Sequence, residues 1–128
     1  MRRALLFLAA IAFSVLISSC ASQPSRGDES ITVLARFDIT PGREAEAEGL
    51  FLKVVAFVRN AEPATTYRLY HSKKDPTVFV FYEVYANSAA ADNHSKVTLP
   101  AATKEYGTFP AGLLSRPPDI ARFSELAR

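Results

Sequence analysis

The sequence predicts an α+β fold, because segments with the two-residue period of β-strands alternate with segments that have the longer period of helices. Strands are predicted over residues 31–39, 65–71, 77–85 and 120–126. Helical segments are predicted over residues 43–60, 89–97 and 99–106. The order β-α-β-β-α-β is the ferredoxin-like arrangement, in which helices cover one face of a four-stranded sheet.

The first strand and the first helix meet at a turn. From Ile31 to Ile39 the residues alternate between two sides, which predicts a strand, and Thr40-Pro41-Gly42 ends it. After Arg43 the apolar residues follow helical spacing, and glutamates occupy the first turns, where they suit the helix dipole. Glu62-Pro63 ends this helix, because the residue before a proline disfavours the helical conformation.

The third strand carries the strongest burial signal. It spans Thr77 to Tyr85, after a turn at residues 73–76, and it is apolar on both faces apart from Glu83. A strand of this kind has to be covered on both sides. Because the helices cover only one face of the sheet, we expect a second copy of the chain to cover the other and to form a homodimeric α/β barrel.

The second helical region begins with a capping signal. Asn87-Ser88 is a typical N-cap for a short alanine-rich helix from Ala89 to Val97, and Leu99-Pro100 starts a further helical segment that reaches Tyr106. Residues 107–118 contain three prolines and two glycines, which predicts a loop before the last strand.

The N-terminal residues predict a signal for export. Arg2 and Arg3 precede an apolar run from Ala4 to Ile17 that is shorter than a membrane-spanning helix. A basic start, a short apolar run and small residues at its end are typical of a secretory signal peptide. We therefore interpret residues 1–19 as the signal peptide.

The segment Ile17-Ser18-Ser19-Cys20 resembles the lipobox of bacterial lipoproteins. The resemblance implies that Cys20 is lipidated. The polar composition of Ala21 to Ser30 predicts a flexible segment, so residues 20–30 would tether a domain formed by residues 31–128. The expected location is then the bacterial cell envelope, on the periplasmic face of the outer membrane. The alternative is an ordinary signal peptide cleaved near Ala21, which would leave a soluble secreted protein.

Charge and composition argue against several classes of function. Arg2 and Arg3 account for the net charge of +2, so the rest of the chain offers no electrostatic case for binding nucleic acid. His71 and His94 are the only histidines and Cys20 is the only cysteine, so no zinc-type ligand cluster can be drawn. No glycine-rich phosphate loop opens a helix, so a flavin has no support. The sequence therefore predicts neither a metal nor another cofactor.

The predicted domain resembles a known family over residues 31–126. The pieces that carry the resemblance are, in order, Ala35-Arg36-Phe37, Thr40-Pro41-Gly42-Arg43-Glu44, Tyr67-Arg68-Leu69-Tyr70, Asp75-Pro76-Thr77, Phe79-Val80-Phe81-Tyr82-Glu83-Val84-Tyr85 and Asp92-Asn93-His94. In order and spacing they are similar to the antibiotic biosynthesis monooxygenase (ABM) domain family, whose members are small dimeric α+β barrels and include cofactor-independent quinol or polyphenol oxygenases. The resemblance implies an oxygenase that acts on a quinol-like or other phenolic small molecule without metal or flavin.

His94 lies where members similar to quinol monooxygenases carry a pocket histidine, and the resemblance therefore implies that it is the catalytic base. An imidazole can take the proton of a phenolic substrate, and the resulting phenolate is electron-rich enough to react with oxygen. The alternative is a partly exposed helix histidine in a non-catalytic binding module or an accessory dimeric lipoprotein.

Glu83 and several aromatic or basic residues are further candidates. Glu83 is either a proton or hydrogen-bond acceptor for the substrate or the acidic half of a buried ion pair with Arg36 or Arg68. The candidate substrate-binding residues are Arg36, Tyr67, Tyr82 and Tyr106. The tyrosines can hydrogen-bond an aromatic ligand, although strand tyrosines more often belong to the core or to an interface.

The chain departs from one branch of the family. Haem-degrading relatives pair a pocket tryptophan with a downstream histidine. This chain has no tryptophan, and Lys104 stands in the region where that histidine would be sought. The sequence therefore disfavours haem degradation.

Overall fold

The computed structural model describes residues 29–126. The predicted signal peptide, Cys20 and the tether up to residue 28 lie outside the described residues. None of the helices in this part of the chain combines the length and the apolar character needed to cross a bilayer.

The elements follow the predicted order. The strands are β1 (Ile31–Asp38), β2 (Thr66–His71), β3 (Val78–Tyr85) and β4 (Asp119–Ser124). The helices are α1 (Glu44–Ala61), α2 (Ser88–Asn93) and α3 (Leu99–Tyr106), and a π-helical turn (His94–Thr98) joins the last two. The predicted α+β, ferredoxin-like fold is therefore confirmed.

The four strands form one antiparallel sheet in the order β2-β3-β1-β4, so β3 and β1 are the central pair. Side chains along β3 alternate between the two faces of the sheet. On the face covered by the helices lie Phe79, Phe81, Glu83 and Tyr85, all buried. On the opposite face, here called the open face, lie Val80, Tyr82 and Val84, all half-buried.

The core lies between the covered face of the sheet and α1. Phe51 of α1 is fully buried, and its ring centroid lies 5.1 to 5.5 Å from those of Phe37, Phe79 and Phe81. Leu113, from the loop before β4, is also fully buried in this cluster. Burying one such side chain contributes about 1.5–3 kcal/mol, so this cluster fixes α1 on the sheet.

The second helical region is continuous, whereas the sequence predicts an end at Val97 and a new start at Leu99. α2 passes directly into the π-helical turn, where the Leu99 N–H donates to the carbonyl of His94, five residues earlier. Pro100 lacks an N–H, and in a regular α-helix its ring would clash with the carbonyl four residues earlier. The wider π turn accommodates the proline and keeps His94 and Thr98 in one helical run.

The open face of the sheet is apolar and accessible in the single chain. Leu34, Tyr70 and Phe123 on this face are 38%, 49% and 48% exposed. The register places all three on the same side of the sheet as Tyr82. Exposed apolar side chains that share one face of a sheet can form a contact surface.

Candidate functional site

A cavity of about 400 Å³ lies between the covered face of the sheet, α1, the π turn, α3 and the start of the loop after α3. Most of its wall is apolar, with Phe37, Leu50, Phe51, Val54, Phe81 and Phe109. The volume falls in the range of about 300–1,000 Å³ that is typical of small-molecule sites. The cavity can therefore hold an aromatic ring against aromatic walls.

The polar side chains of the cavity gather around His94, which is buried. Its Nδ1 lies 2.9 Å from Oε2 of Glu62. A carboxylate oxygen accepts, so Nδ1 carries the hydrogen, and in the neutral imidazole Nε2 is left with a lone pair. Among the described residues, Nε2 of His94 is the one fully buried side-chain nitrogen or oxygen without a hydrogen-bond partner. A hydroxyl group in the cavity would supply the missing donor.

Glu62 is held at more than one point. Its backbone N–H donates to the carbonyl of Val58 and so caps α1. Its second carboxylate oxygen, Oε1, accepts a hydrogen bond from the Thr98 hydroxyl. Thr98 lies in the same π turn as His94, so a single carboxylate joins two residues of that turn to the end of α1.

Glu83 is a second buried carboxyl group at the same end of the cavity. Its Oε2 accepts a hydrogen bond of 2.6 Å from the hydroxyl of Tyr85. Burial raises the pKa of Glu83, and the hydrogen bond from Tyr85 opposes this rise without cancelling it. Burial also raises the pKa of Tyr67 and of Tyr85 far above the ordinary value, so both phenols stay neutral. Their rings flank the imidazole of His94, each with a centroid distance of 5.2 Å.

The structure brings four of the predicted site residues together and separates two. The cavity is lined by His94, Glu83, Tyr67 and Tyr106. Arg36 and Tyr82 lie on the open face, because their strand positions alternate with those that face the helices. Neither residue lines this cavity, and their role in substrate binding stays a prediction.

The structure contradicts one of the alternatives for Glu83 and one for His94. Glu83 does not form the expected ion pair, since Arg36 is bound to Asp38 at 2.8 Å and Arg68 is exposed on the open face. Its partner is instead the Tyr85 hydroxyl. His94 is only 2% exposed, so the expectation of a partly exposed helix histidine does not hold.

Sequence analysis misses three residues that shape the site. The sequence marks Glu62 only as the end of a helix. Thr98 gives a weak signal, because it stands four residues after His94 and this spacing puts both residues on one helical face. Phe109 belongs to the predicted loop, yet its ring centroid lies 5.7 Å from that of Phe37 and the residue lines the cavity.

Across residues 29–126, no three His, Cys, Asp or Glu side chains lie close enough together to bind one metal ion.

Solved structures and a family model are similar to this chain, whereas no curated protein matches it. A solved structure from Caulobacter crescentus CB15, described as a candidate antibiotic biosynthesis monooxygenase, is 27% identical, with a TM-score of 0.65 over 79% of this chain and 93% of that chain. A protein of unknown function from Nitrosomonas europaea is 26% identical, with a TM-score of 0.60 over 80% of this chain and 94% of that chain.

The fold is shared more widely. A protein from Pseudomonas aeruginosa has the same fold at 22% identity, with a TM-score of 0.65 over 79% of this chain and 98% of that chain. Residues 30–105 match the family model for antibiotic biosynthesis monooxygenase. The chain therefore belongs to the antibiotic biosynthesis monooxygenase family.

Proposed function

We propose that the protein is an oxygenase for a quinol-like or other phenolic small molecule, with His94 as its general base. The observation that carries the proposal is the environment of the two imidazole nitrogens of His94. One nitrogen is held by Glu62, and the other is buried and unpartnered in a residue that lines the cavity. Buried polar atoms are normally hydrogen-bonded, so this atom fits a site that a substrate hydroxyl completes. Membership of the family supports the oxygenase class.

The cavity wall favours a neutral, apolar substrate. None of the described residues that line the cavity is a lysine or an arginine, and its one carboxyl group is that of Glu83. A carboxylate or phosphate group would be buried there without a lysine or arginine as its counter-ion, which is costly. Aromatic walls suit a ring in offset or edge-on contact, and the polar end suits its hydroxyl group. We therefore expect a phenol or quinol with no carboxylate or phosphate.

The chemistry needs only the substrate, molecular oxygen and a base. Nε2 of His94 takes the phenolic proton, which makes the ring electron-rich. A ring carbon then forms a bond to oxygen, which accepts two electrons from the ring, and the resulting peroxide takes the proton back from His94 to become a ring hydroperoxide. Loss of water breaks the O–O bond and removes the hydrogen on that carbon, which leaves a quinone. One phenol and one O₂ give one quinone and one water, without metal or flavin.

Oxygen uptake tests the proposal. The purified full chain should consume oxygen with members of a panel of phenols and quinols, and His94→Ala should slow this by about 10² to 10⁴, the usual contribution of a positioned base. If the wild type binds aromatic compounds but consumes no oxygen with any of them, the alternative of a non-catalytic binding module replaces the enzyme.

We also propose that the protein is a homodimer joined through the open face. The support is the accessible apolar surface around Leu34, Tyr70 and Phe123. Pairing this face with the same face of a second chain would bury it on both by two-fold symmetry. The helices, and the cavity beneath them, would stay on the outside of such a dimer.

The proposed membrane anchor rests on the sequence alone. The basic start, the apolar run and the small residues before Cys20 support a lipid anchor in the cell envelope. Acyl chains bind a bilayer with about 0.8 kcal/mol per buried methylene, so several chains would hold the protein firmly. Labelled fatty acid should enter the wild type, and equal labelling of Cys20→Ala would contradict the anchor.

A further inference from the structure

Two polar residues beside the cavity have no direct part in substrate contact. Glu62 and Thr98 are absent from the cavity wall, yet both are largely shielded from water. Each directs its polar group to the same place, because the Glu62 carboxylate accepts from Nδ1 of His94 and from the Thr98 hydroxyl. The Glu62 carboxylate accepts two hydrogen bonds and does not line the cavity, so its effect on a ligand has to pass through the imidazole of His94.

We propose that Glu62, supported by Thr98, is a positioning residue that fixes the tautomer of His94. The carboxylate keeps the hydrogen on Nδ1 and thereby leaves the lone pair on Nε2, the ring nitrogen without a partner. The inference rests on the proposed function of His94 as a base, and it names the groups that make the imidazole ready to accept a proton.

The geometry disfavours the other tautomer. With the hydrogen on Nε2, the lone pair of Nδ1 would face Oε2 of Glu62 at 2.9 Å, acceptor against acceptor. The N–H on Nε2 would then be buried without an acceptor from the described residues. Once the substrate proton arrives, the same carboxylate faces an imidazolium and stabilises its charge.

The other neighbours of His94 pack against its ring and make no hydrogen bond to its nitrogens. Tyr67 of β2 and Tyr85 of β3 contact the faces of the imidazole. Glu83, the other carboxyl group near His94, has its Oε2 bound to the Tyr85 hydroxyl. Within the described part of the chain, Glu62 is therefore the group that hydrogen-bonds the ring.

The second histidine supplies an internal reference. Nε2 of His71 lies 2.7 Å from the carbonyl oxygen of Pro76, and a carbonyl can only accept. His71 therefore carries its hydrogen on Nε2, which is the opposite of the tautomer expected for His94. Because the chain has two histidines, both can be followed in one spectrum.

The test is a long-range ¹H–¹⁵N spectrum of the imidazoles in the ¹⁵N-labelled full chain, recorded at a pH where both are neutral, with His71→Asn for assignment. The wild type should show the Nδ1–H pattern for His94 and the Nε2–H pattern for His71. Glu62→Ala should lose the Nδ1–H pattern at His94 only. Glu62→Gln should restore it, because the amide oxygen can accept from Nδ1. Glu48→Gln, an exposed glutamate of the same helix, should change neither histidine.

Turnover gives the second readout. Glu62→Ala should lower kcat by about 10- to 100-fold, part of the about 10² to 10⁴ that a positioned base contributes, with KM little changed. Glu62→Gln should recover part of this loss. Thr98→Val, which removes one support of the carboxylate, should give a smaller loss than Glu62→Ala.

The outcomes separate this inference from the proposed function. A wild-type His94 with its hydrogen on Nε2 would overturn the inference even if no variant folds, and so would an unchanged Nδ1–H pattern in Glu62→Ala. Failure of the wild type to consume oxygen would overturn the proposed function, while the spectrum would still decide the role of Glu62.

Discussion

The two faces of the central strand β3 have opposite characters. On the covered face, Phe81, Glu83 and Tyr85 are buried beneath the helices, and the last two share a hydrogen bond beside His94. On the open face, Val80 and Tyr82 are half-buried and have exposed apolar neighbours. The two-residue period of a strand thus lets β3 contribute side chains to a buried polar site on one face and to an accessible apolar surface on the other.

The comparison shows how polar groups are distributed between the faces. The covered face keeps a few polar groups, among them Glu83 and Tyr85, which hydrogen-bond each other. On the open face the polar groups remain solvated, as in the exposed ion pair of Arg36 with Asp38. Substitutions on the two faces should therefore separate, with catalysis lost on one side and association lost on the other.

The largest expected effect concerns catalysis. His94→Ala should lower kcat for a phenolic substrate by about 10² to 10⁴. Tyr82→Phe removes one hydroxyl from the open face and should leave kcat unchanged. Steady-state oxygen uptake measures both variants, and a similar loss in the two would mean that the cavity is not the reaction site.

The aromatic core beneath the helices should dominate stability. Phe51→Ala should lower the free energy of unfolding by about 3–5 kcal/mol, because it leaves a cavity amid the sheet aromatics. Leu52→Ala, at the next position, alters a side chain that is 52% exposed and should cost about 0.5 kcal/mol or less. Urea unfolding at neutral pH compares them, and equal losses would contradict the assigned core.

Association should depend on the open face alone. Leu34→Asp places a charge on that face and should raise the dimer dissociation constant by at least about 10-fold, which corresponds to about 1.4 kcal/mol. Leu52→Asp puts the same charge on the outer surface of α1 and should leave the dimer intact. Sedimentation equilibrium at micromolar concentration is the measurement, and a folded wild-type monomer would contradict the proposed dimer.

The smallest effect expected is a change in how stability depends on pH. Burial raises the pKa of Glu83 above its unfolded value of 4.5, so the folded state binds the proton more tightly. The stability linked to this proton is fully present below pH 4.5 and is lost as pH rises through the folded pKa. The Gln side chain of Glu83→Gln does not titrate and can still accept the Tyr85 hydrogen bond. This variant should therefore not lose stability as pH rises through this range.

Urea unfolding of both proteins across this pH range tests the effect. The difference in free energy of unfolding should shift in favour of Glu83→Gln as pH rises. A difference that does not vary with pH would show that Glu83 titrates alike in the folded and unfolded states.

Local sequence patterns predict much of the fold and part of the site. Alternation in β3 predicts that Phe81 and Glu83 share one face and that Tyr82 lies on the other. The family resemblance leads to His94, and the structure places it in the cavity wall. The pattern alone does not show which face the cavity occupies, and for that reason the predicted set includes Tyr82 and Arg36, which lie outside the cavity wall.

The support of His94 could not be predicted, because it depends on contacts between distant parts of the chain. Glu62 and His94 are 32 residues apart and meet only when α1 and the π turn pack together. The π turn itself follows from Pro100 within a helix that packing keeps continuous. Helix propensity alone favours a break there.

The most direct test of the account is the protonation state of a bound phenol. A chromogenic nitrophenol can be titrated with the full chain without oxygen, at a pH below the pKa of the free phenol, so that absorbance reports the phenolate. We predict that wild type binds the phenolate, with its proton on His94, and that His94→Gln binds the neutral phenol. A neutral phenol bound in the wild-type cavity, with the same spectrum as in His94→Gln, would contradict His94 as the base.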